Sequence, residues 1–365
     1  MSDPCFLKRS DLQQLIDALK AAGYRCIGPQ VREGAILYEE IDHVEQLPTG
    51  IHDQQSPGSY QLTTSDSPRN FAWANGPQAL KPLLFAPRET VWRAERDGDG
   101  KMQFVATLPK TQPTAVIGVR SCDLAALALQ DQHFLSSEYC DPYYQARRQN
   151  LFTVTVNCSH PAATCFCAST GDGPVAESGY DLVMSELDDG YLLKAGSEAG
   201  RNIMTQLPLH QASDLHHYNA GQQHLHAAQI QQRSLPGRQL NETLFANLDH
   251  PRWDDVAQRC LSCSNCTMVC PTCFCHAENE APQLDGAATE HLREWDSCFT
   301  QGHSYIHGTV IRAEIKLRYR QWLTHKLGSW HEQYGRSGCV GCGRCISWCP
   351  AAIDLTEEAG VICGN

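Results

Sequence analysis

Two copies of one cysteine motif constrain this chain more than any other feature of its sequence. Each copy reads C-x2-C-x2-C-x3-C-P, and its cysteines are Cys260, Cys263, Cys266 and Cys270 in the first copy and Cys339, Cys342, Cys345 and Cys349 in the second. This spacing is typical of ferredoxins with two [4Fe-4S] clusters, in which the fourth cysteine of each run ligates the other cluster. The motif therefore predicts two iron–sulfur clusters.

The spacing within each motif indicates which cysteines ligate which of the two clusters. Three cysteines two residues apart can wrap one face of a cubane, whereas the fourth lies a helical turn further on, beyond the reach of the same cubane. The expected ligands are Cys260, Cys263, Cys266 and Cys349 for one cluster, called cluster A, and Cys339, Cys342, Cys345 and Cys270 for the other, called cluster B. Zinc is the alternative for any group of four cysteines, but two complete copies favour iron–sulfur clusters.

The insert between the motifs, residues 271–338, is much longer than the link in a small bacterial ferredoxin. Its later part, residues 309–335, carries apolar residues among basic ones in a helical pattern and ends at Gly335. This pattern favours an α-helical two-cluster ferredoxin domain, a kind that is common in electron-transfer subunits of large redox enzymes. Arg344, within the second motif, is expected to be exposed, and the alternative is that it raises the potential of cluster B.

The first two hundred residues have the pattern of an α/β domain. The runs TAVIGVR (114–120) and LFTVTVN (151–157) are short, apolar and rich in β-branched residues, as buried parallel strands are. A helical pattern separates the two runs, so strand, helix and strand follow one another. We expect an α/β domain over residues 1–208, a His- and Gln-rich connector over residues 209–245 and a helical dicluster domain over residues 246–365.

A third group of cysteines follows the two predicted strands. Cys122 and Cys158 each stand just beyond the end of a strand, and the next loop supplies Cys165 and Cys167. If the strands are parallel neighbours, their carboxyl ends meet at one edge of the sheet, where α/β domains place ligands. We therefore predict a third [4Fe-4S] cluster on these four cysteines, with buried structural thiols or a zinc site as the alternatives.

The remaining cysteines complete no further set of four. Cys273, Cys275 and Cys298 lie close to the motifs in the sequence, and we expect them to pack against the clusters or to donate hydrogen bonds to them. A further metal is the alternative for these three. The isolated cysteines are expected to be inert: Cys5, Cys26, Cys140 and Cys363.

The composition of the chain indicates its cellular compartment and argues against one class of binding partner. The chain of 365 residues holds 19 cysteines, and it shows neither a signal-peptide pattern nor a run of about 18 apolar residues. Clustered cysteines in such a chain are more often metal ligands than disulfides, so we expect a cytoplasmic protein. The net charge of −12 argues against nucleic acid as a partner. Since the sequence holds metal ligands but no nucleotide-binding fingerprint and no recognisable catalytic set, we expect electron transfer without catalytic residues.

Several segments resemble one known family. GVRSCDLAAL, VNCSHPAATCFCAS, WDSCFT and GCVGCGRCISWCPAAIDLTEE are similar to the iron–sulfur beta subunit of cytoplasmic NAD(P)-linked nickel–iron hydrogenases, also called sulfhydrogenases. The corresponding iron–sulfur subunit of anaerobic sulfite reductase is similar as well. The resemblance covers most of the chain, and it departs from the family at STGDGP, where S-M-G-T-G-P is usual.

The resemblance implies an electron-transfer subunit that is not itself catalytic. Such a subunit relays single electrons between a flavin subunit that binds NAD(P)H and other redox components, with the hydrogenase small and large subunits as partners. The alternative is the corresponding subunit of an anaerobic sulfite or sulfur reductase. A scaffold whose clusters only hold the domains together is the rival outside electron transfer.

Overall fold

The fold is built on one large mixed sheet and a smaller antiparallel sheet, with a cysteine-rich region packed beside them. A computed structural model describes residues 4–136, 138–237 and 240–364. Residues 238 and 239, which belong to the predicted connector, lie outside the described residues. No helix within the described ranges is long and apolar enough to cross a membrane.

The described residues form sixteen strands. In chain order they are Cys5–Lys8 (β1), Arg25–Arg32 (β2), Ala35–Glu40 (β3), Ile51–Ser56 (β4), Ser59–Thr64 (β5), Arg88–Arg96 (β6), Met102–Ala106 (β7), Thr114–Val119 (β8), Leu151–Val156 (β9), Leu182–Glu186 (β10), Gly190–Ala195 (β11), His210–Gln211 (β12), His276–Pro282 (β13), Ala288–Trp295 (β14), Tyr305–Ile306 (β15) and Thr309–Val310 (β16).

The helices of the described residues are mostly short. In chain order they are Leu12–Ala21 (α1), Lys81–Leu84 (α2), Ser121–Leu135 (α3), Pro142–Arg148 (α4), Cys167–Thr170 (α5), Glu198–Met204 (α6), Asp214–Gln229 (α7), Leu240–Ala246 (α8), Arg252–Arg259 (α9), Asn265–Met268 (α10), Ile315–Thr324 (α11), Trp330–Tyr334 (α12), Arg344–Ser347 (α13) and Leu355–Cys363 (α14). A π-helical segment, His325–Ser329, joins α11 to α12.

The large sheet has eight strands in the order β12-β1-β11-β10-β9-β8-β2-β3. Its centre is parallel, because β2 pairs with β8, β8 with β9 and β9 with β10 in parallel register, whereas the outer strands pair antiparallel. The two predicted strands are β8 and β9, and α3 lies between them in the chain as expected. The N-terminal part is therefore a mixed, sheet-rich α/β domain.

Apolar side chains cover both faces of the sheet, as a parallel centre requires. Ala115 and Ile117 of β8 pack with α1 in one core cluster, whereas the intervening Val116 packs with α3 in a second cluster on the opposite face. A third core cluster lies among α8, α9, α11 and α14, and it includes cysteines of both motifs. The α/β domain and the cysteine-rich region thus each have an apolar core.

The small sheet joins distant parts of the chain. It has the order β13-β14-β6-β7, so a hairpin from the insert pairs with strands that precede β8. The expectation of a helical insert is confirmed for α11 and α12. It is wrong for residues 276–310, which form β13 to β16. The segments HAENEAP and ATEHLREW flank a turn at Gly286, which has a φ of 69°, and ATEHLREW also pairs with β6, so pairing with a distant strand takes the place of the expected helix.

A buried ion network holds this hairpin in place. The Arg293 guanidinium of β14 donates a 2.6 Å hydrogen bond to Glu89 of β6 and a further one to Asp141, which precedes α4. The side chains of Arg293 and Glu89 are each 8% exposed. Because buried charges are stable only when paired, each member of the network depends on the others.

We expect Arg293→Met to lower the free energy of unfolding by roughly 3 kcal/mol, since it leaves Asp141 as a buried carboxylate without its partner. Urea unfolding followed by circular dichroism measures this change. Arg88→Met is the matched control, because Arg88 pairs with Glu294 across the same two strands at the surface. The control should lose less than about 1 kcal/mol, and equal losses in both variants would contradict the account.

Candidate metal centres

The four cysteines assigned to cluster A line one cavity. Its walls include Cys260, Cys263, Cys266 and Cys349, together with apolar side chains of the insert and of the C-terminal segment. The fourth cysteine of the second motif thus lies with the first three of the first motif. Of these four residues, Cys263 is exposed and the other three are partly buried.

Backbone geometry around this cavity brings N–H groups to the sulfur atoms. Ser262 and Ser264 adopt positive φ angles of 52° and 67°, so the chain curls between successive cysteines. The backbone N–H of Ser262 donates to the Cys260 Sγ at 3.4 Å, and the N–H of Ile353 donates to the Cys349 Sγ at the same distance. Such N–H to sulfur bonds are one of the means by which proteins tune iron–sulfur potentials.

The four cysteines assigned to cluster B line a second cavity. Its walls are Phe166, Cys270, Pro271, Thr272, Trp322, Lys326, Cys339, Val340, Cys342, Gly343, Cys345 and Leu355. Cys345, Trp322 and Leu355 line both cavities, so the two are separated by single side chains. The N–H of Gly341 donates to the Cys339 Sγ at 3.5 Å.

The donor set and surroundings of both cavities fit iron–sulfur clusters. Four thiols surround an apolar space in each, which is the environment of a cubane. Among the residues that the structure describes, no three His, Cys, Asp or Glu side chains form a group that could hold a metal ion. The thiols surround a space instead of converging on a point.

Burial sets the protonation of most of these thiols. It raises the pKa of Cys339 to about 12 and that of Cys345 well above the ordinary value. Cys270 differs, because a hydrogen bond with Cys273 lowers the pKa of Cys270 well below the ordinary value. Since metal ligation deprotonates thiols outright, a bound cluster would hold the negative charge that burial alone disfavours.

The four cysteines of the predicted third site are all buried near the carboxyl ends of β8 and β9. Cys122 begins the first turn of α3 directly after β8, and Cys158 follows β9. These two strands are parallel neighbours, so their carboxyl ends share one edge of the sheet. The loop after β9 supplies Cys165 and Cys167, whose pKa values are raised by burial and by the neighbouring thiol of Cys158.

Polar side chains that sequence patterns did not reveal contact the third site. The side-chain amide of Asn75 lies 3.3 Å from the Cys122 Sγ. Gln231 follows helix α7 of the predicted connector, and its Nε2 donates to the Cys167 Sγ at 3.5 Å. Neither residue belongs to a recognisable motif, so only the folded chain identifies them.

The third site and cluster B are in backbone contact. The N–H of Phe166 donates to the carbonyl of Gly341 at 2.8 Å. Gly341 has a φ of 63°, and a Cβ there would lie 2.5 Å from the Cys167 nitrogen; a Cβ at Gly343 would lie 2.6 Å from the Thr164 oxygen. Only glycine lets the two loops approach this closely. The three groups of thiols therefore follow one another in the order third site, cluster B, cluster A.

Arg344 lies between the third site and cluster B, and the expectation that it is exposed is wrong. The residue is 1% exposed, and its guanidinium makes a 2.8 Å ion pair with Asp123, the residue after Cys122. It also donates to the carbonyl of Gly76 at 3.0 Å. The sequence could not show this partner, because Asp123 and Arg344 are 221 residues apart.

The cysteines outside the predicted ligand sets lie in varied surroundings. Cys273 contacts Cys270, as its hydrogen bond to that thiol shows. Cys275 hydrogen bonds with His303, and this contact raises the pKa of the imidazole. Burial raises the pKa of Cys298 to about 12, and the nearby Cys275 contributes. The isolated Cys140 is exposed, and burial raises the pKa of Cys26 to about 11.

Comparison with known proteins supports a domain that binds [4Fe-4S] clusters. Residues 259–353 match the family described as "4Fe-4S dicluster domain". The sulfhydrogenase 2 subunit beta of Pyrococcus furiosus is 28% identical over 352 residues, which cover 93% of this chain and 92% of that protein. No solved structure matches the chain at a significant level. The chain thus carries a 4Fe-4S dicluster domain and is similar, over nearly its whole length, to the beta subunit of a sulfhydrogenase.

Proposed function

We propose that this chain is the electron-transfer subunit of a cytoplasmic NAD(P)-linked nickel–iron hydrogenase complex. In this role it relays single electrons through [4Fe-4S] clusters between a flavin subunit that binds NAD(P)H and the hydrogenase small and large subunits. One observation carries the proposal: three groups of thiols lie in a row, with Cys345 lining the cavities of both cluster A and cluster B, and with Gly341 packed against Cys167.

Each part of the chain has a distinct task in this proposal. Residues 1–208 hold the third cluster on Cys122, Cys158, Cys165 and Cys167, and residues 246–365 hold clusters A and B. Trp322 and Leu355 line both dicluster cavities and exclude water between them. When bound, each cubane supplies one-electron redox chemistry, and the protein tunes it through hydrogen bonds to sulfur, burial and charge.

The two ends of the row of thiols differ in their exposure to solvent. At the cluster A end, Cys263 is exposed and its neighbour Leu261 is 65% exposed. At the other end, Cys158 and Cys167 are buried. In a relay between two partners, the exposed edge of cluster A is the natural place for one of them to approach.

Redox titration of the anaerobically purified chain, followed by electron paramagnetic resonance, tests the proposal. We expect each cluster to accept one electron within the physiological range of potentials. Clusters that stay in one oxidation state over this range would support the scaffold instead. Purification with the natural partners separates the two enzyme classes, since nickel and flavin would accompany the hydrogenase, whereas sirohaem would indicate the sulfite reductase.

The exchange of fourth ligands has its own test in Cys349→Ser. Because Cys349 lines the cavity of Cys260, Cys263 and Cys266, we expect this variant to lose the signal of cluster A and to keep that of cluster B. Cys363→Ser is the matched control, since Cys363 lies in the same C-terminal segment but lines neither cavity. Loss of the Cys339–Cys345 cluster alone would show that the ligands are not exchanged.

A further inference from the structure

Lys326 is a buried lysine beside the cavity of cluster B. It lies in the π-helical segment between α11 and α12, and 5% of the residue is exposed. Its Nζ donates to the Thr272 Oγ1 at 2.7 Å and lies 3.5 Å from the carbonyl of Gly338. Its ammonium also lies 4.9 Å from the centre of the Trp330 ring. These three partners are neutral, and the Cys273 side chain also hydrogen bonds with the ammonium.

No carboxylate compensates this charge. In the part of the chain that the structure describes, Lys326 forms no ion pair with Asp or Glu, whereas the nearby buried Arg344 is neutralised by Asp123. Removing an ammonium group from water costs several kcal/mol unless a negative charge lies close by. The folded chain therefore has to supply negative charge near Lys326 by other means.

The thiols of cluster B are the available source of negative charge. The Thr272 Oγ1 accepts from Lys326, donates its proton to the carbonyl of Gly338 at 2.7 Å and lies 3.2 Å from the Cys270 Sγ, so Thr272 holds the ammonium close to a predicted ligand. Lys326 lines the same cavity as Cys270, Cys339, Cys342 and Cys345, so its ammonium lies beside the thiols that would carry negative charge when they hold a cluster. The ammonium and the thiolates stabilise one another.

Lys81, a second buried lysine, lies near the same thiols but is connected to them less directly. Its Nζ lies 3.3 Å from the carbonyl of Thr267 and 3.9 Å from the centre of the Trp295 ring. Burial lowers the pKa of Lys81 below its ordinary value, and Cys273 and Cys270 only partly oppose this. Lys326 is the lysine that Thr272 holds close to Cys270.

We propose that Lys326 sets the reduction potential of cluster B through its positive charge, which the Thr272 hydroxyl holds beside Cys270. This inference rests on the proposed electron-transfer function. Reduction adds one electron, supplied by the redox partner, and one unit of negative charge to the site, while the ammonium keeps its proton and no bond breaks. A buried positive charge stabilises the more negative, reduced state and so raises the potential.

The place of cluster B in the row gives this charge a functional meaning. Its thiols lie between the third site and cluster A, so an electron that crosses the chain passes this position. A raised potential in the middle of the row stabilises the electron there. Lys326 therefore acts on the electron through its charge and takes no part in a bond-making step.

The test compares Lys326→Met with Lys316→Met in the full chain, by redox titration with electron paramagnetic resonance. Lys316 of α11 pairs with Asp254 at the surface, so its loss should leave every midpoint unchanged. We expect Lys326→Met to lower the midpoint of one component by at least a tenfold change in its reduction equilibrium, about 59 mV for a one-electron couple. Lys326→Arg, which keeps the charge, should restore the midpoint towards the wild-type value.

A second variant covers the case in which Lys326→Met fails to assemble cluster B. Lys326→Gln keeps a polar side chain that can hydrogen bond with Thr272 but removes the charge, so it should shift the same midpoint downward. Midpoints equal to the wild-type value in Lys326→Met, or in Lys326→Gln where only that variant assembles, would overturn the inference. Failure of the proposed function is distinct from this, because the wild-type chain itself would then show no reducible clusters.

Discussion

The backbone contact between two cysteine-bearing loops is the constraint on which the rest of this structure depends. Phe166 donates to Gly341, and the glycines at 341 and 343 leave no room for a Cβ against the loop that carries Cys165 and Cys167. The edge of the large sheet and the second cysteine motif are therefore fixed relative to one another at van der Waals distance. Replacing either glycine would push the loops apart, and with them two of the three groups of thiols.

The charges around this contact follow from its burial. Arg344 and Asp123 form an ion pair in which each side chain is 1% exposed. Asp123 directly follows Cys122, and Arg344 lies between Cys342 and Cys345 in the chain. Such a pair adds little net stability, but removal of one partner is costly, so it favours a single arrangement of the two loops. Among the residues that the structure describes, Lys326 has no carboxylate partner, and it lies beside thiols instead. Arg344 therefore has a structural role, whereas the role that we propose for Lys326 is electrostatic.

Much of this arrangement could be predicted from the sequence, since its signals are local. The spacing of the two motifs indicated which cysteines share a cavity, and the β-branched runs at 114–120 and 151–157 indicated two parallel strands whose ends lie together. Each motif and each strand run is itself a short, continuous stretch of the chain. The third group of thiols followed from combining them with the general rule for the ligand edge of an α/β sheet.

The rest depends on contacts between distant segments, which one sequence does not reveal. Asp123 and Arg344 meet across 221 residues. The hairpin β13–β14 pairs with β6, so part of the insert that was expected to be helical forms strands instead. Lys326 lies in a segment where basic residues stand among apolar ones in a helical pattern, and nothing local indicated that its ammonium is buried beside Thr272. Burial of a charge is decided by the partner segment, so only the folded chain shows it.

Iron and acid-labile sulfide per chain, measured on anaerobically purified and fully loaded protein, test the central claim most directly. Three cubane sites in a row predict about twelve irons and about twelve sulfides for each chain. About eight of each would restrict the clusters to the two cavities of the dicluster domain and leave Cys122, Cys158, Cys165 and Cys167 as structural thiols, which would contradict the continuous row.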